Sequence, residues 1–186
     1  LVPNALDAAG LPPHPPLTRL RKEGKVFGYI GTMSTWFDWT WVVHLANVRQ
    51  ADTVRLIGPI DDHYAGKLPN NIQLYPACHH SAALQAMQEF DVGLIPFKRN
   101  PVTDAVDPIK YYEYRALGLP VIATLFGEMY YHRLTSDTYI SESLADIPML
   151  AESALSTPRT IAATAEFIQQ NSWESRFDAT QLLTLS

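Results

Sequence analysis

The chain has 186 residues, 47% hydrophobic and 18% charged, a size that buries roughly 70% of its unfolded surface and calls for one domain held by neither disulfides nor a structural metal. Its lone cysteine, Cys78, cannot bridge internally and suits a reducing, cytoplasmic setting. A net charge of -5 gives no basic field for nucleic acid or anionic lipid, no apolar run nears the roughly 20 residues of a membrane span, and Leu1 to Gly10 lacks a signal-peptide pattern.

Residues 1–22 read as a linker, because Pro3, Pro12, Pro13, Pro15 and Pro16 remove donors and bias their predecessors to extended backbone. The domain proper is expected over 23–186. A first strand is predicted over Lys25 to Gly31, ending in a turn-rich Gly31-Thr32-Met33-Ser34-Thr35. Asp38 is placed to cap a helix from Trp39 to about Gln50. Strands follow at Thr53 to Gly58 and Ile72 to Tyr75, with a polar loop between them. A helix is expected from about Ser81 to Phe90, then a nearly continuous apolar strand from Asp91 to Phe97, the pattern of a strand buried on both faces. Past a loop from Lys98 to Val106, Asp107-Pro108 combines a capping carboxylate with proline at the first helical position. That helix should run to Leu117 and stop at Gly118. Pro120 to Thr124 is a fifth strand, and Ser143 to Ser186 reads as two or three helices around Pro158 and Trp173. The alternation specifies an α/β fold: a single doubly wound, Rossmann-like domain with a parallel sheet and helices on both faces. Ligands of such sheets bind outside the carboxyl ends of the strands. The expected rim is Gly31 to Phe37, Gly58 to His63, Pro76 to His80, Lys98 to Val106 and Leu125 to Tyr130.

On that rim, Asp107-Pro108-Ile109-Lys110-Tyr111-Tyr112-Glu113 concentrates chemistry. Lys110 falls in a first helical turn, where unpaired amides and the helix dipole already favour an anion and the ammonium adds a point charge for phosphate. Glu113, one turn on, can accept from two neighbouring sugar hydroxyls. The same spacing also describes an ordinary surface ion pair. The Gly31-Thr32-Met33 turn can bring amides close to a diphosphate, or can need glycine merely to turn. Lys98-Arg99 can face a diphosphate or water. Cys78-His79-His80 lacks a second ligand cluster, which argues against a metal site and for a loop bordering a base pocket. Asp61-Asp62-His63 reads as a solvated turn. Trp36, Phe37, Trp39 and Trp41 form an aromatic corner that can stack on a sugar but is expected rather to pack against a neighbouring helix or another domain.

The run from Asp91 to Thr124 resembles the donor-binding half of nucleotide-sugar glycosyltransferases with the two-Rossmann-domain (GT-B) fold, in particular the retaining group related to family 4. The pattern lies at Pro108, Lys110, Glu113, Tyr114, Ala116, Gly118, Pro120 and Val121. Leu1-Val2-Pro3-Asn4-Ala5-Leu6-Asp7 resembles the signature at which that group's amino-terminal domain hands over to the second, and Ser172-Trp173-Glu174 the start of its terminal helix. The resemblance implies a nucleoside diphosphate sugar donor, probed by Gly31, Thr32, Met33, Cys78, Lys98, Thr103, Asp107, Pro108, Ile109, Lys110 and Glu113, with Lys110 and Glu113 as the catalytic pair and no metal or other cofactor. It further implies a separate amino-terminal acceptor-binding domain, a polysaccharide or glycolipid acceptor, inactivity of this half alone, and association with the inner membrane face through the other half. One departure stands out. The position eight residues before Glu113, where the group often carries a second glutamate, is Ala105, with Thr103, Asp104 and Asp107 as nearby substitutes. A non-catalytic binding module of the same fold is the alternative. A receiver-type signalling domain would need an acidic cluster after the first strand, and Gly31-Thr32-Met33 supplies none.

Overall fold

The computed structural model describes residues 3–12 and 24–180. Six parallel strands form one sheet: β1 (Val26–Ile30), β2 (Thr53–Ile57), β3 (Ile72–Tyr75), β4 (Val92–Ile95), β5 (Val121–Thr124) and β6 (Thr138–Ser141), in the order β3-β2-β1-β4-β5-β6. The helices are α1 (Trp39–Val48), α2 (His80–Met87), α3 (Ile109–Ala116), α4 (Met129–His132), α5 (Ile147–Leu155), α6 (Ile161–Asn171) and α7 (Trp173–Thr180). The connection from β1 to β2 crosses the sheet in one direction and that from β4 to β5 in the other. Right-handed crossovers therefore set α1 and α3 on opposite faces. The expected doubly wound fold is present, with its switch point between β1 and β4.

Burial follows position. All four residues of β4, a central strand, are buried, whereas edge strand β3 leaves Gln73, Leu74 and Tyr75 exposed. Asp38 accepts from the Trp41 amide at 3.0 Å, so α1 begins where its capping carboxylate dictates. The aromatic corner is packed as expected: Trp39 and Trp41 are both buried. Trp39 Nε1 donates to the Asp62 carbonyl at 2.6 Å and Trp41 Nε1 to Ser141 Oγ at 3.0 Å, while Arg49 pairs with Glu152 of α5. Helix α3 ends at Gly118, whose φ of 67° suits a residue without a β-carbon. The Leu119 amide then reaches back to the Tyr114 carbonyl at 2.9 Å, closing the last turn.

Three local readings change. Asp107 does not cap α3: the cap position is Pro108, and the Asp107 carboxylate turns instead to the Asn4 amide at 2.7 Å and the Tyr112 hydroxyl at 2.9 Å. A 3-10 turn, Thr103–Ala105, interrupts the predicted loop. Strand β6 and helix α4 have no counterpart in the sequence reading. Part of the opening segment is also anchored, since Ala5 and Leu6 are buried and Leu6 exchanges backbone hydrogen bonds with Asn171 and Trp173 at 3.0 and 3.1 Å. Leu1, Val2 and residues 13–22 of the expected linker, and the end of the chain from 181, lie outside the described residues.

Candidate functional site

The crevice at the switch point is built on one close approach. Gly31 leaves β1 with φ 146°, and a β-carbon on Gly58, which follows β2, would stand 2.2 Å from the Gly31 carbonyl oxygen. The two glycines let the β1 and β2 exits touch. The Gly31 amide is spent on the Ile57 carbonyl at 2.9 Å and the Met33 amide on the Pro59 carbonyl at 2.8 Å, while Met33 itself is core. Among the described residues the Thr32 amide has no hydrogen-bond partner, and the Thr32 carbonyl is fixed by the Tyr29 hydroxyl at 2.9 Å. Of the three predicted turn residues, Thr32 alone offers a free donor.

Below this turn lies Lys110. Its Nζ stands 5.6 Å from the Tyr29 ring centre and 5.7 Å from that of Phe97, within cation–π range of both. Among the described residues it makes no hydrogen bond and no ion pair, and Glu113 acts on it only through space. Burial lowers its pKa below 10.5, partly opposed by the Glu113 charge. Pro108 has no amide hydrogen and the Tyr111 amide returns to the Pro108 carbonyl at 2.9 Å, so the amides of Ile109 and Lys110 are the unpaired donors of the first turn. Glu113, on the same helical face, is mostly enclosed, and its Oε1 lies 2.7 Å from His80 Nε2. The structure thus brings Gly31, Thr32, Ile109, Lys110 and Glu113 together, with the Tyr29 and Phe97 rings as the cradle.

Other predicted residues stand apart. Lys98 Nζ donates to the Thr35 carbonyl at 3.1 Å and is about half exposed, with Asp62 at 3.9 Å. Thr103 is buried, and its hydroxyl donates to the Lys98 carbonyl at 2.6 Å and accepts from the Asn100 amide at 3.0 Å, stapling that loop together. Asp107 is committed to Asn4 and Tyr112. Asp104 pairs with Arg99 at 3.6 Å, and Ala105 is exposed at the end of its turn. Cys78 is exposed and unbridged. Among the described residues no three of His, Cys, Asp and Glu converge as metal ligands.

Two features escaped the sequence. His80 as the partner of Glu113 is a long-range pairing, although its place on the expected rim was a signal. A cleft of about 360 Å³ between the loops after β4 and β5 is lined by Arg99, Asp104, Phe126, Glu128, Tyr130 and Tyr131 and opens beside the crevice. A larger hollow of about 580 Å³, at Asn47, Gln50, Lys67 and Asn70, lies by the entry to β3, at the end of the sheet away from the rim. Its size carries no functional weight against that position.

No family profile matches the chain. The fold is that of one Rossmann-like half of a GT-B glycosyltransferase. Sucrose-phosphate synthase from Thermosynechococcus elongatus superimposes with a TM-score of 0.75 at 16% identity, over 98% of this chain and 51% of that one. Anabaena HepE in complex with UDP and glucose gives 0.58 at 15% identity, over 88% and 49%. The catalytic domain of Arabidopsis thaliana starch synthase IV, bound to ADP and acarbose, gives 0.59 at 12%, over 90% and 39%. In sequence, the chain is 30% identical over 109 residues to TuaH of Bacillus subtilis (strain 168), provisionally assigned as a teichuronic acid biosynthesis glycosyltransferase; the match covers 55% of this chain and 27% of TuaH. The chain therefore spans about half or less of the proteins it is similar to. Among the described residues no helix is long and apolar enough to cross a membrane.

Proposed function

We propose that the chain is the donor-binding half of a glycosyltransferase that transfers a sugar, with retention, from a UDP- or GDP-linked donor to a cell-surface polysaccharide or glycolipid. The observation that carries this reading is Lys110, a cation that makes no ion pair among the described residues, held between two rings at the switch point and one helical turn from a carboxylate. An ammonium withdrawn from water without a partner is costly, and an incoming anion offsets that cost. In this reading the diphosphate lies against Lys110, the Ile109 and Lys110 amides and the free Thr32 amide, while Glu113 accepts from the ribose hydroxyls. The UDP in HepE and the ADP in starch synthase IV support a nucleotide ligand for the fold.

The chemistry is leaving-group stabilisation. As the bond from the sugar to the diphosphate breaks, negative charge grows on the departing oxygen. Preorganised amides and Lys110 meet that charge with little reorganisation, which favours the transition state over the bound donor. No metal is needed for this step. The acceptor site belongs to the other Rossmann-like half, through which the enzyme works in the cytoplasm against the inner membrane face. The exposed Ala105, in place of a sugar-contacting carboxylate, favours a second reading, a regulatory module that binds nucleotide without transfer; donor hydrolysis by the full-length protein separates the two.

The test is calorimetric titration of nucleoside, monophosphate and diphosphate, first without and then with EDTA. Glu113→Ala should weaken all three by about 1.5 to 3 kcal/mol, the range for hydrogen bonds to charged groups. Lys110→Ala should spare the nucleoside and weaken the phosphates, with a salt dependence that the glutamate variant lacks. Loss of binding on adding EDTA overturns the metal-free reading. Equal indifference of both variants removes the site.

A further inference from the structure

The Glu113 carboxylate is already engaged. His80, 33 residues away on α2, places Nε2 at 2.7 Å from Glu113 Oε1. The imidazole is 68% exposed and the carboxylate 14%, so the ring lies over the outer side of an otherwise enclosed acid. His80 is the first residue of α2, a helix start without a side-chain cap, and the four residues before it, 76–79, are all exposed. Exposed ion pairs of this kind contribute little stability. Removing this one is therefore expected to cost little stability.

We propose that His80 is a displaceable cap on Glu113, a gate that a vicinal diol must push aside to reach the carboxylate. The proposal rests on the reading of Glu113 as the ribose anchor and adds the regulation of that anchor. An imidazolium grips a carboxylate more strongly than a neutral imidazole. The cap is therefore tight at acid pH and loosens as His80 deprotonates, so affinity for a ribonucleotide rises with pH, and binding at acid pH expels a proton. Among the described residues, Lys110 and Tyr114 are coupled to Glu113 from α3. His79 and Cys78 flank His80 in the chain. A comparison that holds the phosphate constant cancels the Lys110 contribution.

The experiment titrates UMP, GMP and AMP, each against its 2′,3′-dideoxy form, at about pH 5.5 and about pH 8, the range over which imidazoles in general change charge. Wild-type protein should bind the ribo form several-fold more tightly at the higher pH, with the dideoxy form showing no such gain. His80→Ala should bind the ribo form several-fold more tightly than wild type at the lower pH and lose the pH dependence. His80→Gln, a neutral donor, should give an intermediate, pH-independent affinity, and His79→Ala should behave as wild type. If His80→Ala weakens or does not change ribonucleotide binding while the ribo preference persists and is lost in Glu113→Ala, the gate is wrong and the ribose anchor stands. If Glu113→Ala keeps the ribo preference, or no nucleotide binds, the anchor itself is wrong and the gate falls with it.

Discussion

A β-carbon placed on Gly31 would stand 3.3 Å from Lys110 Cε and 2.9 Å from Tyr29 Oη. The glycine at the end of β1 and the lysine at the start of α3 therefore share one small volume, and the shape of the β1 turn sets where the ammonium can go.

Gly31→Ala should accordingly act twice. The added methyl group crowds Tyr29 and Lys110 and meets a φ of 146° that side chains rarely adopt. We expect a loss of about 1 to 3 kcal/mol in stability from overpacking, read by chemical denaturation. Diphosphate affinity should fall while nucleoside affinity holds. Equal loss for both ligands would show that the effect does not pass through Lys110.

The lowered pKa of Lys110 gives a signed prediction. Burial disfavours its charged form, so in the unliganded protein it loses its proton below 10.5. A bound diphosphate favours the charged form and raises that value again. Between the two values binding must take up a proton, and affinity should fall as pH rises through the unliganded one. Calorimetry in buffers of different ionisation enthalpy reads the uptake, and Lys110→Met should abolish it.

Asp107 ties α3 to the opening segment. Burial pushes its pKa up, but His132, the Asn4 amide and the Tyr112 hydroxyl outweigh this and hold it below 3.8. A depressed carboxylate contributes stability that is present above the unfolded value and disappears as pH falls through the folded one. Asp107→Ala should cost about 1 to 3 kcal/mol near neutrality. The difference from wild type should shrink as pH falls below the unfolded value and vanish below the folded one. A gap that survives there would assign the loss to packing.

Trp41→Phe keeps the ring but removes the indole donor from Ser141 Oγ, leaving a buried hydroxyl with a vacated partner. The expected cost is about 1 kcal/mol, seen in the thermal midpoint. Trp41→Phe combined with Ser141→Ala should recover part of it, since both polar groups are then gone.

Local rules made much of this molecule readable. Asp38 capped α1, Gly118 stopped α3, and the apolar run around Val92 became a strand covered on both faces. Strand β6 was not readable, because Thr138–Ser141 is a four-residue strand at the sheet edge with Tyr139 and Ile140 only partly buried. The fault over Asp107 has a different origin: a carboxylate before a proline is a good local cap, but a partner 103 residues away claimed it. In the site, the helix bearing Lys110 and Glu113 was legible from spacing and position. The amides of Gly31 and Met33 were not, since carbonyls at and just past the end of β2 consumed them, and the His80 pairing depends on how two distant helices meet.

The Tyr114 hydroxyl accepts from the Ile30 amide at 3.1 Å. At its other end the same side of β1 is finished by Asp91, which accepts from the Val26 amide at 2.8 Å, so side chains close off a ladder that pairs β1 with β4 only at Phe27 and Gly28. The strands can diverge there without leaving backbone unsatisfied, and the wedge that holds them apart belongs to α3. Helix and strand are consequently joined: a ligand that drew Lys110 or Glu113 toward itself would load the main chain of β1 through one phenol. The exchange rate of the Ile30 amide hydrogen is therefore expected to change when the crevice is occupied, and an unchanged rate would show that the phenol carries no such load.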